Sequence, residues 1–133
     1  MSRYRHALAI AGVALLGLSL PLPVRAQQPK VVSTRDATQY MGKTATVCGE
    51  VTSAKFSVRT GGAPTFLDMD GVHPNQLFTV LIWGIDRPKF QTPPDSAFAN
   101  RRVCVTGLVT DFKGKPEIVV HDPSEIRLAD ARG

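Results

Sequence analysis

Apolar and polar positions divide the 133-residue chain into an unbroken greasy stretch near its start, one short amphipathic turn and a series of alternating runs. The greasy stretch covers Ala7 to Leu20. From Ser33, the segment STRDATQYMGK offers an N-cap, an acidic residue three positions on and Gly42 as a stop, which predicts a helix of about two turns. TATVCGEVTSAKF then alternates, with Ala45, Val47, Gly49 and Val51 on one face and Thr46, Cys48, Glu50 and Thr52 on the other. It predicts a long first strand in which Gly49 permits a bend. RTGGAP is a loop, TFLDMD a second strand, DGVHPNQ a turn, and LFTVLIW a third strand with two apolar faces, so central or bearing a binding surface. In the second strand Leu67 and Met69 share one face; if they are core, Phe66 on the other is exposed, beside Asp68.

Residues 84–100 carry three prolines and then PDSAFA, a proline-started helical turn ending at Asn100. RRVCVTGLVTDF predicts a fourth strand, GK a two-residue turn and PEIVV a fifth strand, with Ile118 and Val120 on one side and Val119 on the other. The tail from His121 begins with a turn and then loses its pattern. YMGKTATVCGEV and FANRRVCVTGLV echo one another: an aromatic residue, a helix stop, a basic residue, then a strand containing V-x-G-x-V. Two bent strands with a central glycine suit a small closed barrel.

Charge and composition change the picture at the N-terminus. Arg3 and Arg5 precede the apolar run and Val24-Arg25-Ala26 follows it, the layout of a secretory signal peptide of a bacterial type cleaved after Ala26. The run is short for a membrane span, and no cysteine follows it to take a lipid. The expected product is a soluble periplasmic or secreted protein. Losing 26 residues leaves 107, enough for one small domain. Three of the 16 basic residues go with the leader, so 13 face 11 acidic residues and the net charge falls from +5 to +2. The basic whole-chain composition is therefore weak support for a polyanion partner.

Cys48 and Cys104 both remain, and an even pair in an oxidising compartment reads first as a disulfide. Closing that loop stabilises a small domain by about 4 kcal/mol on the chain-entropy account. Two buried free thiols are the alternative; neither cysteine has a second ligand type nearby for a metal.

Several segments together, G-K-x-x-x-V-x-G-x-V at Gly42 to Val51, P-T-F-L-D-M at Pro64 to Met69, F-T-V-L-I-W-G at Phe78 to Gly84, V-x-V-T-G at Val103 to Gly107 and F-K-G-K-P-E-I-V-V at Phe112 to Val120, resemble a family of small exported OB-fold domains. These are similar to the tRNA-anticodon-binding type of OB module and to modules attached to secreted nucleases. The resemblance implies an all-β, five-stranded Greek-key barrel with short helices. It covers residues 38–128, so that with the leader the chain divides into a signal peptide (1–26), a lead-in with the start of the short helix (27–37), the OB domain (38–128) and a tail (129–133). It also implies the strand order 1-2-3-5-4, which puts strand 4 beside strand 1 and brings Cys48 near Cys104. In this fold ligands meet strands 2 and 3 and the loops 1-2 and 4-5.

Those places hold Lys55 and Arg59 in loop 1-2, Phe66 on strand 2, Trp83 at the end of strand 3, and Phe112, Lys113 and Lys115 in loop 4-5. Lysines and arginines beside aromatic rings are what single-stranded DNA or RNA binders use. Each has a plainer reading: FKGKP is an ordinary hairpin with solvated lysines, Trp83 caps a barrel, and Asp68 and Asp70 repel phosphates. Asp68-Met-Asp70-Gly71 lacks the remaining ligands of a calcium loop, and His73 and His121 form no metal spacing with the cysteines. Asp68, Asp70, Arg59 and Arg87 are the only mixture that imitates a calcium-dependent nuclease, and no nucleophile arrangement is visible. The sequence therefore points to a non-enzymatic exported binding module without cofactor or metal. Its leading partner is single-stranded nucleic acid or a similar polyanion; the alternative is an envelope protein or a saccharide.

Overall fold

The computed structural model describes residues 9–129; Arg3 and Arg5 of the expected leader and residues 130–133 of the tail lie outside them. Residues 9–30 carry no regular secondary structure, and their apolar side chains from Ile10 to Val24 are exposed. No helix among the described residues is long and apolar enough to cross a membrane.

The rest is mostly β, with short helices. A strand that the sequence pattern did not announce, β1 (Val31–Ser33), comes first, followed by a 3-10 helix at Thr34–Tyr40. Ser33 caps that helix: its hydroxyl accepts from the Asp36 N–H at 3.3 Å and donates to the Asp36 carboxylate at 3.2 Å. Gly42, with φ +82°, turns the chain out of it, and its N–H reaches the Val109 carbonyl at 2.8 Å.

The long strand β2 (Thr44–Phe56) matches the expected first strand. Its first half, Thr44 to Glu50, pairs antiparallel with β5 (Arg102–Leu108). Its second half pairs antiparallel with β3 (Thr65–Met69), after a bulge between Val51 and Ser53. The bulge residue Thr52 is held by Gly71 and by the Asp68 carbonyl at 3.1 Å, so the corner is pinned by side-chain bonds rather than by Gly49. β4 (Phe78–Ile82) lies between β3 and the parallel β7 (Lys115–Val119). Every residue of β4 is buried, as its two apolar faces require.

The expected fourth strand is interrupted. Its residues form β5 and then β6 (Thr110–Phe112), with fully buried Val109 between them, and β6 pairs antiparallel with β7. The strand path β6-β7-β4-β3-β2-β5-β8 thus has consecutive chain segments, β5 and β6, on its two arms. With β5 and β6 taken as one strand, the order is OB-like. The last strand, β8 (Ile126–Leu128), runs antiparallel to β5 in the tail that showed no pattern. The proline-rich segment supplies the helix α1 (Pro94–Phe98), where Phe98 packs edge-on to Phe90 with ring centroids 6.4 Å apart.

Val47, Val51, Leu67, Met69, Phe78 and Val80 fill the interior with Ile82, Val103, Val105 and Ile118. Cys48 and Cys104 stand directly opposite in the β2–β5 ladder, Cα atoms 4.1 Å apart, and are joined by a disulfide.

Candidate ligand-binding groove

The core parity of β3 decides what its other face presents. With Leu67 and Met69 inside, Phe66 and Asp68 turn outward, and the ladders extend two rows across neighbouring strands. One row runs Ser53, Asp68, Thr79, Glu117; the other runs Lys55, Phe66, Leu81, Val119. The β6–β7 hairpin rises beside them. Its two turn residues, Lys113 (φ 52°) and Gly114 (φ 83°), both take positive φ, the geometry of a tight hairpin turn, and the Gly114 N–H is bonded to the Asp111 carboxylate at 2.6 Å. The turn is therefore Lys-Gly and not the following Gly-Lys, and β7 starts one residue earlier than its sequence pattern indicated.

Between hairpin and sheet lies a groove of about 430 Å³. Phe66 and Phe112 supply its rings, and Lys55, Lys113 and Lys115 its positive charge. Lys113 lies over the Phe112 ring, Nζ 5.4 Å from the centroid, and Lys115 donates to the Gln76 carbonyl at 3.0 Å. Five of the seven residues singled out for this face thus share one cavity. Arg59 and Trp83 do not line it. Arg59 is exposed in the loop after β2, and Trp83 covers Gly62 of the same loop, where an added Cβ would sit 2.8 Å from the indole.

The floor is polar and was not anticipated as a unit. The Gln76 amide donates to the Thr79 hydroxyl at 3.2 Å, and that hydroxyl donates to Asp68 at 3.2 Å. The Gln76 Oε1 is left buried without a partner. Glu117, only 7% exposed, lines the same cavity, and among the described residues no hydrogen bond or ion pair reaches its carboxylate. Burial pushes the Glu117 carboxyl above the usual range. Burial does the same at Asp68, outweighing the Thr79 hydrogen bond and the charges of His73 and Lys115. The signal for Glu117 was its parity: an acid in step with Lys115 on a strand whose other face is core. Thr79 interrupts an otherwise apolar run for the same reason.

Two residues considered for nuclease chemistry have other work. Asp70 does not face the groove; it accepts from Thr34 and from the Glu50 N–H, the latter at 3.3 Å. Arg87 is stacked on Phe56, its guanidinium carbon 3.7 Å from the ring centroid, while bonding Thr65 and pairing with Asp95, each at 2.8 Å. Among the described residues no cluster of three His, Cys, Asp or Glu side chains could hold a metal ion.

No protein-family model matches the chain, and no curated protein matches it. Among solved structures, it is similar to an aspartyl-tRNA synthetase from Leishmania major Friedlin, with TM-score 0.48 and 10% identity over 80% of this chain and 22% of that one. It is also similar to the aspartyl tRNA synthetase from Entamoeba histolytica, with TM-score 0.45 and 18% identity over 80% of this chain and 24% of that one. The chain thus spans about a quarter or less of the length of these proteins.

Proposed function

We propose that this protein is an exported, non-enzymatic binding module, a five-stranded OB-fold barrel that holds single-stranded nucleic acid in the groove between β3, β4 and the β6–β7 hairpin. The observation that carries the reading is the convergence of Phe66 and Phe112 with Lys55, Lys113 and Lys115 on one cavity. Rings accept stacked bases of any sequence, and lysines at the rim take up phosphate charge. Export is supported by the exposed apolar segment ahead of β1 and by the disulfide, which persists in oxidising compartments. Arg59 and Trp83 lie beyond the cavity, where a longer strand would meet them.

The test is fluorescence anisotropy of a labelled single strand titrated with the protein across a salt series. The expected result is an affinity that falls steeply with salt, with a log-log slope of about −2 if three lysines engage three phosphates of a single strand. Absence of binding at low salt rejects the proposal. One observation favours a second reading, an envelope saccharide or protein as ligand: the floor of the groove is made of acceptors that sugar hydroxyls or a partner's donors would satisfy. Binding to such a ligand would be nearly independent of salt.

A further inference from the structure

The groove combines a basic rim with an acidic floor, and the two cannot serve the same part of a ligand. Phosphate belongs at the lysines; near Asp68 and Glu117 it would be repelled. Ser53, Ser57 and His73 also line the groove, but the buried polar groups of its floor, Asp68, Gln76 and Glu117, turn acceptors towards it. Glu117 has both carboxylate oxygens free of partners at 7% exposure, and Gln76, 6% exposed, has an unpartnered Oε1. Thr79 is no competing donor, because its hydroxyl proton is committed to Asp68 and its oxygen receives the Gln76 amide. The Gln76 Oε1, buried without a donor, is costly, and a ligand that brings the donor recovers that cost on binding; the Glu117 oxygens, which have no partner within the protein, would exchange their remaining solvent contact for the same ligand's donors.

We infer that Glu117, Gln76 and Asp68 form a base-reading subsite that selects the amino-bearing edge of a nucleobase, with guanine as the best occupant. This inference rests on the nucleic-acid reading of the groove. Guanine carries two adjacent, parallel donors, the ring N–H and the 2-amino group, which fit the two oxygens of one carboxylate. Cytosine and adenine each offer an amino group with a ring acceptor beside it, so they satisfy only part of the floor. Thymine and uracil offer a single ring N–H flanked by carbonyl oxygens that would point at carboxylates. Glu117 occurs on the sheet across Thr79 from Asp68, a Cα separation of roughly 10 Å by strand spacing, with Phe66 in the neighbouring row to stack on the base. Its carboxyl is held above the usual range by burial alone, so paired donors would relieve the desolvation that now destabilises the charge.

The experiment uses the full chain and short labelled thymidine strands that differ at one central position: guanine, hypoxanthine, cytosine, adenine or thymine. The expected order of affinity has guanine roughly fivefold or more above thymine, and hypoxanthine, which lacks the 2-amino group, well below guanine. Glu117→Gln should reduce the guanine-to-thymine ratio to less than about twofold, because the amide replaces one acceptor with a donor. Equal, salt-sensitive binding of all five strands overturns the subsite while leaving the proposed function standing. Absence of binding to any of them overturns both. A preference for thymine would also overturn the subsite. Because the five strands are compared on the unaltered chain, the outcome does not depend on the variant folding.

Discussion

Asp70 accepts the hydroxyl of Thr34, thirty-six residues away in the chain, and the pair meets directly over the backbone of Gly49. This bond ties the 3-10 helix to the end of β3. It requires that β2 have no side chain at position 49, since an added Cβ would lie 2.6 Å from the Thr34 methyl and closer still to the Asp70 carboxylate. Gly49→Ala should therefore destabilise the fold by about 2 kcal/mol through overpacking and loss of the bond. The check is a lower urea midpoint at an unchanged m-value.

Arg87 joins three elements through one guanidinium: Phe56 at the end of β2, Thr65 at the start of β3 and Asp95 of α1. Arg87→Ala should cost about 2 kcal/mol, measured by chemical unfolding. Arg87→Lys should recover less than half of that, because an ammonium neither stacks as a plane nor reaches two acceptors in fixed directions. Strand affinity of the folded Ala variant should change by less than about twofold, which a nuclease-like role for this arginine would not allow.

The pH dependence of stability separates two kinds of acid. Glu117 and Asp68 have folded pKa values raised above 4.5 and 3.8, so the native state holds their protons more tightly than the unfolded chain does. Their contribution falls as pH rises through that window. Asp86 acts in the opposite sense: hydrogen bonds from Lys89 and then His121 hold its carboxyl low, so its contribution is present above the ordinary aspartate range and is lost as pH falls through the lowered value. Glu117→Gln should isolate the first effect. We expect a gain of about 1 kcal/mol at pH 7, a rise of roughly 4–8 °C in Tm, and a difference from the unaltered protein that shrinks towards pH 4. Thermal unfolding at both pH values measures it.

Lys113 stands at the tip of the hairpin and is exposed, with its ammonium over the Phe112 ring. Lys113→Ala should weaken single-strand binding to a similar degree for every sequence and flatten the log-log salt slope by about one unit at most. The stability of the fold should be unaffected, since this side chain makes no hydrogen bond or ion pair among the described residues. A salt series on the variant beside the unaltered protein decides it.

Strand periodicity made much of the fold legible. The runs from Thr44 to Phe56 and from Thr65 to Met69 coincide with β2 and β3, because each has one core face and so alternates. β1 and β8 are three residues each and pair along only one side, too short for a period to show. The break at Val109 was invisible for a different reason: Val109 is as apolar as its neighbours, and the strand divides there because Val109 still bonds Lys43 and Gly42 beside β2 while Thr110 already pairs with Glu117 in β7. In the groove, Phe66 could be placed from the parity of Leu67 and Met69, and the hairpin residues from the turn. Asp70 could not, because the chain leaves the strand after Met69 and the Asp70 side chain turns to a partner far away in sequence. Glu117 and Gln76 share one cavity across β4 and a turn, a relation that no local pattern encodes.

β2 is one continuous strand, with Cys48 in the half that faces β5 and Lys55 in the half that faces β3. A strand repeats every two residues, so a slip of one position in its first half, up to the bulge at Thr52, would exchange inside for outside throughout that half. The covalent bond to Cys104 forbids that slip at position 48. The cross-link therefore fixes the phase of the first half, with Val47 and Val51 in the interior, and delivers the strand in register to the bulge, where the bonds of Thr52 to Asp68 and Gly71 reset the alternation and turn Ser53 and Lys55 to the groove.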